Sequence, residues 1–384
     1  MLIYWTACMA SILFAFLGMK VRYSEHTTLK KVKFIFGNLE KVRIKYGKHG
    51  ISDPHNHAEN HNVWYYLKLS FFAALPLILI AAIRYDVGQD YLYTYVPYFL
   101  RVKSGTVSHQ LEPLYHLMNV IVIRLHGNYP WVFAICAIIF MTLVYYRVFT
   151  DSPYPLISIF LLVAMTYYFI FLNAMRQMVA CSILMLSYPY ARERKFLKFT
   201  SIVVIASLFH SSCVVFLFAY WLVNLKIRPK WILAVTVCVF LFGQFFGNII
   251  NNLVRYTAYS IYQGSRFDTE KQGWIVLLMN LAAFLLASVY YTKDKKYVQY
   301  YNLQVIALWI AALTGKVVLI SRIRWMFGLP GIILVPMILQ NIKKRDRLLI
   351  GTIIVVLYFV YASYTIGVKN GNNVLPYQTI FSIR

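Results

Sequence analysis

The chain has 384 residues, of which 60% are hydrophobic and 13% charged, and a formal net charge of +25. Soluble domains carry about a quarter charged residues, so this composition excludes an ordinary aqueous fold. The Lys and Arg excess sits in short runs between apolar segments, which is the pattern of cytoplasmic loops and not of a nucleic-acid surface.

The apolar segments are continuous, which excludes a β-barrel of alternating strands. They predict an all-α polytopic integral membrane protein with about 10–12 transmembrane or re-entrant helices, each span taking about 20 residues. Residues 1–384 read as a single membrane domain. Residues 2–18 lack a basic leader and a small-residue cleavage site, so they read as a span and not a signal peptide. Residues 20–63 hold nine Lys/Arg and five His and read as a basic cytoplasmic loop, suited to anionic membrane lipid. His55, His57 and His61 stand close together there, but no apolar framework or cysteine accompanies them. A solvated loop explains them better than a metal site.

Span 64–83 follows, then "RYDVGQDYLYTY" from Arg84 to Tyr95. Residues 111–126 are short for a span and hold His116 and Arg124, which suits a half-helix. Further spans are expected at 129–146, 154–172, 174–190, 231–250, 273–291, 301–320, 325–341 and 348–366. The five cysteines all lie in apolar runs, without metal-ligand spacing, and read as packing residues.

The charges orient these spans. Loops 20–63, 191–198, 293–296 and 342–347 are all basic, so all four belong in the cytoplasm. The segment 224–230 is basic too, yet only 199–222 separates it from 191–198. A plain span would invert every later loop. A re-entrant pair of half-helices turning at His210 removes the conflict, since irregular backbone at depth is tolerated inside protein.

In this topology the outward-facing acids are Asp86, Asp90, Glu112, Asp268 and Glu270. The outward cations are Arg84, Arg176, Lys316, Arg322 and Arg324. Arginine there runs against the charge rule and needs a partner, either a nearby acid or an anionic ligand. Arg176 lies between two apolar runs, and its planar fork matches phosphate oxygens as well as a carboxylate. Arg322 and Arg324 are two apart, about 200° on a helix, so at most one faces a common site. Lys316 is equally suited to snorkelling to the surface. His210 is flanked by Ser211 and Ser212 and reads either as a satisfied buried histidine or as a functional one. Tyr91, Tyr93 and Tyr95 suit an interfacial belt or the stacking of sugar rings.

Taken together, "RYDVGQDYLYTY", "LEPLYHLMN", "NAMRQ", "FHSS", "SRIRWMF" and "LPYQTIF" resemble the EpsG family of Wzy-like polysaccharide polymerases, in the family's order over most of 64–384. Loop 20–63 is longer and more basic than the family pattern. The resemblance implies a GT-C-like membrane glycosyltransferase without metal or cofactor. Such an enzyme joins undecaprenyl-pyrophosphate-linked oligosaccharide units at the outer face of a bacterial inner membrane, for exopolysaccharide, capsule or O-antigen. A flippase and a chain-length regulator of the same pathway are the implied protein partners. The positions carried over are Arg84, Gly88, Asp90, Tyr91, Glu112, Arg176, Gln177, His210, and Arg322 or Arg324. Positioned guanidinium groups would stabilise a pyrophosphate leaving group. The base for the acceptor hydroxyl would be Asp90, Glu112 or Asp86, with His210 as the alternative. A lipid-linked oligosaccharide flippase without catalysis is the rival reading. A membrane acyltransferase is a third, with His210 as its one candidate histidine.

Overall fold

The computed structural model describes residues 1–25, 58–107, 111–256, 260, 273–317 and 320–382. The 26–57 part of the basic loop, His61's side chain, Asp268 and Glu270 lie outside the described residues. The described chain is all-helical, with two isolated backbone bridges and no strands.

Four helices are long and apolar enough to cross a membrane: Leu2–Lys20, Val63–Ala82, Tyr129–Asp151 and Lys344–Val368. Three more spans arise if each bent helix pair counts as one: Pro155–Ala164 with Tyr167–Asn173, Pro229–Leu241 with Gly243–Val254, and Ile320–Gly328 with Gly331–Asn341. Shorter apolar helices make up the remainder. Tyr129–Asp151 is the most buried of the four long helices, while Lys344–Val368 lies at the periphery. The Ala58–Ala82 helix packs on Tyr129–Asp151 and on the first helix, with the small residues Ala73, Ala74 and Ala81 fully buried. That close approach lets Ser11 Oγ reach both Ala73 O and Tyr145 Oη at 2.6 Å.

Several expected spans are redrawn: 154–172 bends by 50° after Ala164, 174–190 holds the short helix Met175–Met185, and 325–341 falls in a pair bent by 43°. Residues 231–250 do not run straight but turn by 72° at Phe242. Gly243 and Gly247 then lie against Lys316, where a Cβ would fall 2.5 Å from its Nζ and 2.8 Å from its carbonyl oxygen respectively. The expected span 301–320 instead runs as Lys295–Leu313, because Asp294 caps its start by accepting from Lys296 N and Tyr297 N.

The segment 196–222 folds back on itself. Helix Phe196–Ser207 ends at Leu208, and Ser211–Phe218 returns as a 3-10 helix. Phe196 and Tyr220, 24 residues apart, meet edge to face at 5.1 Å, and Arg194 donates to Tyr220 O at 3.0 Å. Asn224 Nδ2 reaches Ala191 O at 2.7 Å. Loops 191–198 and 224–230 therefore share one end of the molecule, as the charge pattern requires.

The other described basic loops join them. Asp151 holds Arg147, accepts from Tyr300 Oη at 2.6 Å and pairs with Lys296 at 3.1 Å. Arg192 meets Gln299 at 3.0 Å, and Arg347 meets Tyr154 at 2.9 Å. A topology test follows from this shared end. In a Cys238→Ser background, Ile227→Cys and Asp294→Cys should be shielded together from an impermeant thiol reagent in intact cells, and Asp86→Cys should label. Labelling of position 227 without 294 would sink the hairpin.

Candidate active site

At the opposite end four helix termini meet, each with unsatisfied backbone groups. Pro113 opens the Pro113–Arg124 helix, and the first free N–H after it, Leu114 N, donates to Leu208 O at 3.0 Å. An orphan donor of one helix thus meets an orphan carbonyl of another. This junction places Glu112 beside His210.

Glu112 does not cap its own helix. Its Oε1 meets His210 Nδ1 at 2.9 Å, and its Oε2 pairs with Arg176. An ionised carboxylate only accepts, so Nδ1 donates and Nε2 carries the lone pair. Among the described residues His210 Nε2 is buried with no partner, and so is Arg176 Nε. Burial pushes the Glu112 carboxyl up, but the hydrogen bond with His210 and the charge of Arg176 outweigh it and hold its pKa at about 2.

Around this trio stand several tyrosines. Arg176 lies over the Tyr115 ring at 5.7 Å. Tyr95 is buried and within electrostatic reach of both Arg176 and Asp90. Tyr98 Oη accepts from Leu111 N at 3.2 Å and meets His116 Nδ1 at 2.7 Å, which anchors the chain just before Glu112. Gln177 Nε2 donates to Arg322 O at 2.6 Å and ties the Ile320–Gly328 helix to the Met175–Met185 helix. Arg322 is close enough to act on His210's charge.

The "RYDVGQDY" loop closes over the same end. Gly88 has φ +95°, and a Cβ there would fall 2.4 Å from Leu172 O, so glycine is required twice over. Asp90 N donates to Asn173 Oδ1 at 3.0 Å. The C-terminal segment seals the loop: Tyr85 N, Gly88 N and Gln89 N donate to Gln378 O, Asn373 O and Asn372 O at 2.9, 2.9 and 3.3 Å.

Arg84 is placed otherwise than as a ligand contact. It is fully buried and donates to Ala81 O, Val87 O and Leu172 O at 2.7, 3.2 and 3.3 Å, with Phe133 beneath it at 4.8 Å. It thereby satisfies the carbonyl ends of two helices, Ala58–Ala82 and Tyr167–Asn173. Tyr91 is also fully buried, stacked on Phe133 at 4.5 Å, with its hydroxyl on Arg84 O. Asp86 is exposed at the loop tip with φ +49°. Lys316 lies over Phe240 and Arg324 beside Tyr167, and nothing links either to the Glu112 trio. The structure therefore gathers Glu112, His210, Arg176, Gln177, Arg322 and Asp90 at one end of the bundle. Asn173, Tyr95, Tyr98 and Tyr115 complete that group. Asn173, Tyr95 and Tyr115 lie within stretches that the sequence singles out and Tyr98 lies outside them, and nothing in their spacing shows that they surround Arg176.

The family comparison covers these same elements. A model of the EpsG family matches residues 67–379. The chain belongs to the EpsG family. That family is associated with polysaccharide-polymerising glycosyl transfer. No curated protein and no solved structure matches this EpsG chain.

Two expectations follow from the geometry. Glu112's carboxyl is depressed from 4.5 to about 2, so its stabilisation is complete above its unfolded pKa and is lost as pH falls from about 4.5 toward 2. The unfolding-temperature difference between wild type and Glu112→Gln should therefore shrink between pH 6 and pH 3, and a constant difference would contradict the pairing. Arg84→Met should leave three buried carbonyls unsatisfied and cost about 3 kcal/mol or more, read as lost detergent stability and poor accumulation. A fully stable Arg84→Met protein would show that those bonds are dispensable.

Proposed function

We propose that this chain polymerises lipid-linked oligosaccharide by membrane-embedded, GT-C-like glycosyl transfer. It acts on undecaprenyl-pyrophosphate-linked repeat units at the outer face of a bacterial inner membrane. The observation that carries the reading is the Glu112–His210 pair, whose Nε2 is left unpartnered beside Arg176. A buried polar atom without a partner is costly, and that cost is relieved when a ligand supplies the missing hydrogen bond.

The chemistry then runs as follows. A hydroxyl of the acceptor sugar donates its hydrogen bond to His210 Nε2. As its oxygen bonds to the anomeric carbon of the donor glycan, the bond from that carbon to the lipid pyrophosphate breaks. The proton passes to Nε2. The electron pair leaves on pyrophosphate, where Arg176 and Arg322 offer stabilisation. Glu112, held ionised, fixes the imidazole tautomer and steadies the imidazolium. With a pKa of about 2, Glu112 is itself a weak base, which argues for an orienting role. Asp90 stands at the edge of the site, near Tyr95, where it suits contact with sugar hydroxyls.

Purified protein in vesicles, given lipid-linked repeat units, should form a glycan ladder. His210→Ala should lose ~10²–10⁴ of the rate while still binding the donor. Arg176→Lys should lose most activity, because a point charge does not replace a fork that already serves Glu112. Glu112→Gln should alter the pH–rate profile as well as lowering the rate. Asp90→Asn should still polymerise. If His210→Ala polymerises normally and Asp90→Asn does not, the base is Asp90 and this assignment fails.

A further inference from the structure

A groove of about 470 Å³ opens on the outside of the bundle, between the Ala58–Ala82 and Tyr129–Asp151 helices. One wall is Trp64, Leu67, Phe71 and Phe72; Ile138, Ile139, Thr142 and Leu143 form the other, with Thr142 its only hydroxyl. The first wall follows the helical repeat, so one continuous stripe of the helix faces outward. Lys68 is the single charged residue of the lining, is exposed, and makes no ion pair among the described residues.

The groove lies in the half of the bundle nearer the basic loops. Lys68 is 14 residues, about 21 Å, from Ala82 at the site end. Leu143 is eight residues, about 12 Å, from Asp151 in the basic cluster. By the charge rule this is the cytoplasmic leaflet. The lining is too apolar for a sugar and opens sideways, where lipid stands. The one cation is placed where a long side chain reaches back to the head-group level.

We propose that this groove holds one phospholipid of the cytoplasmic leaflet with an anionic head group. Its phosphate pairs with Lys68, and an acyl chain lies between the two helix walls. The site is separate from the Glu112 cluster and does not depend on the polymerase reading.

The test is native mass spectrometry of the full chain released from vesicles of phosphatidylglycerol and phosphatidylcholine in equal amounts. Wild type should retain one phosphatidylglycerol per chain, with a preference of about fivefold, the worth of one lysine at an anionic surface. Lys68→Gln should keep a lipid but lose the preference, and Lys68→Arg should restore it. Ile138→Phe, at a position 39% exposed in the wall, should fill the groove and release the lipid. Leu143→Trp is the second filling variant, and circular dichroism checks that each variant keeps its helices. Equal retention of both lipids by wild type, or an unchanged preference in Lys68→Gln, overturns the proposal. Lipid retained by a folded filling variant overturns it too. So does the displacement of phosphatidylglycerol by an added polyprenyl phosphate at equal concentration.

Discussion

The architecture rests on one constraint: helices broken inside an apolar medium expose carbonyl and amide groups that no water can reach. Arg84 meets much of that need. Its guanidinium is spent on carbonyls near the ends of two helices and on Val87 O in the loop that follows the first of them, with no carboxylate bonded to it among the described residues. The helix dipoles place partial negative charge at those carbonyls, so a cation fits where an acid partner would otherwise be needed. Because Arg84 fixes both ends, the loop after it must pass tightly over Leu172, which only a glycine at 88 allows. The same loop carries Asp90 to Asn173, two residues before Met175 opens the next helix and three before Arg176.

The Leu114–Leu208 junction is a second use of the same economy. Two orphan groups cancel, and the residues flanking them, Glu112 and His210, are drawn together, each at the start of a helix that its side chain does not cap. A carboxylate shared between an arginine and an imidazole is held ionised well below the usual carboxylate range. The imidazole is thereby held in one tautomer. The fold delivers an oriented lone pair as a by-product of satisfying its own backbone.

Much of this was legible in the residues. The hairpin at 196–222 followed from charge alone, since two basic loops with one apolar segment between them must share a side. The convergence of "LEPLY", "MRQ" and "FHSS" was legible through the family resemblance, and the structure adds that Glu112, Arg176 and His210 are directly paired. Arg84 was misread because a span-end arginine looks like a ligand contact, whereas one of the carbonyls it serves, Leu172 O, lies just before a break between Asn173 and Met175 that no proline or glycine marks. The 72° turn at Phe242 was hidden for a related reason. Hydropathy runs unbroken through residues 231–250, and only the packing of Gly243 and Gly247 against Lys316 reveals the bend.

The C-terminal segment has a consequence for biosynthesis. The amide groups of Tyr85, Gly88 and Gln89 find their partners in residues 372–378, nearly 300 positions later, and the first helix holds the same segment through Tyr4 and Val374. A ribosome delivers those partners only after every other part of the site has been inserted. Closure of the loop over the candidate site therefore cannot precede the synthesis of residues 372–378, whose carbonyls its amide groups require.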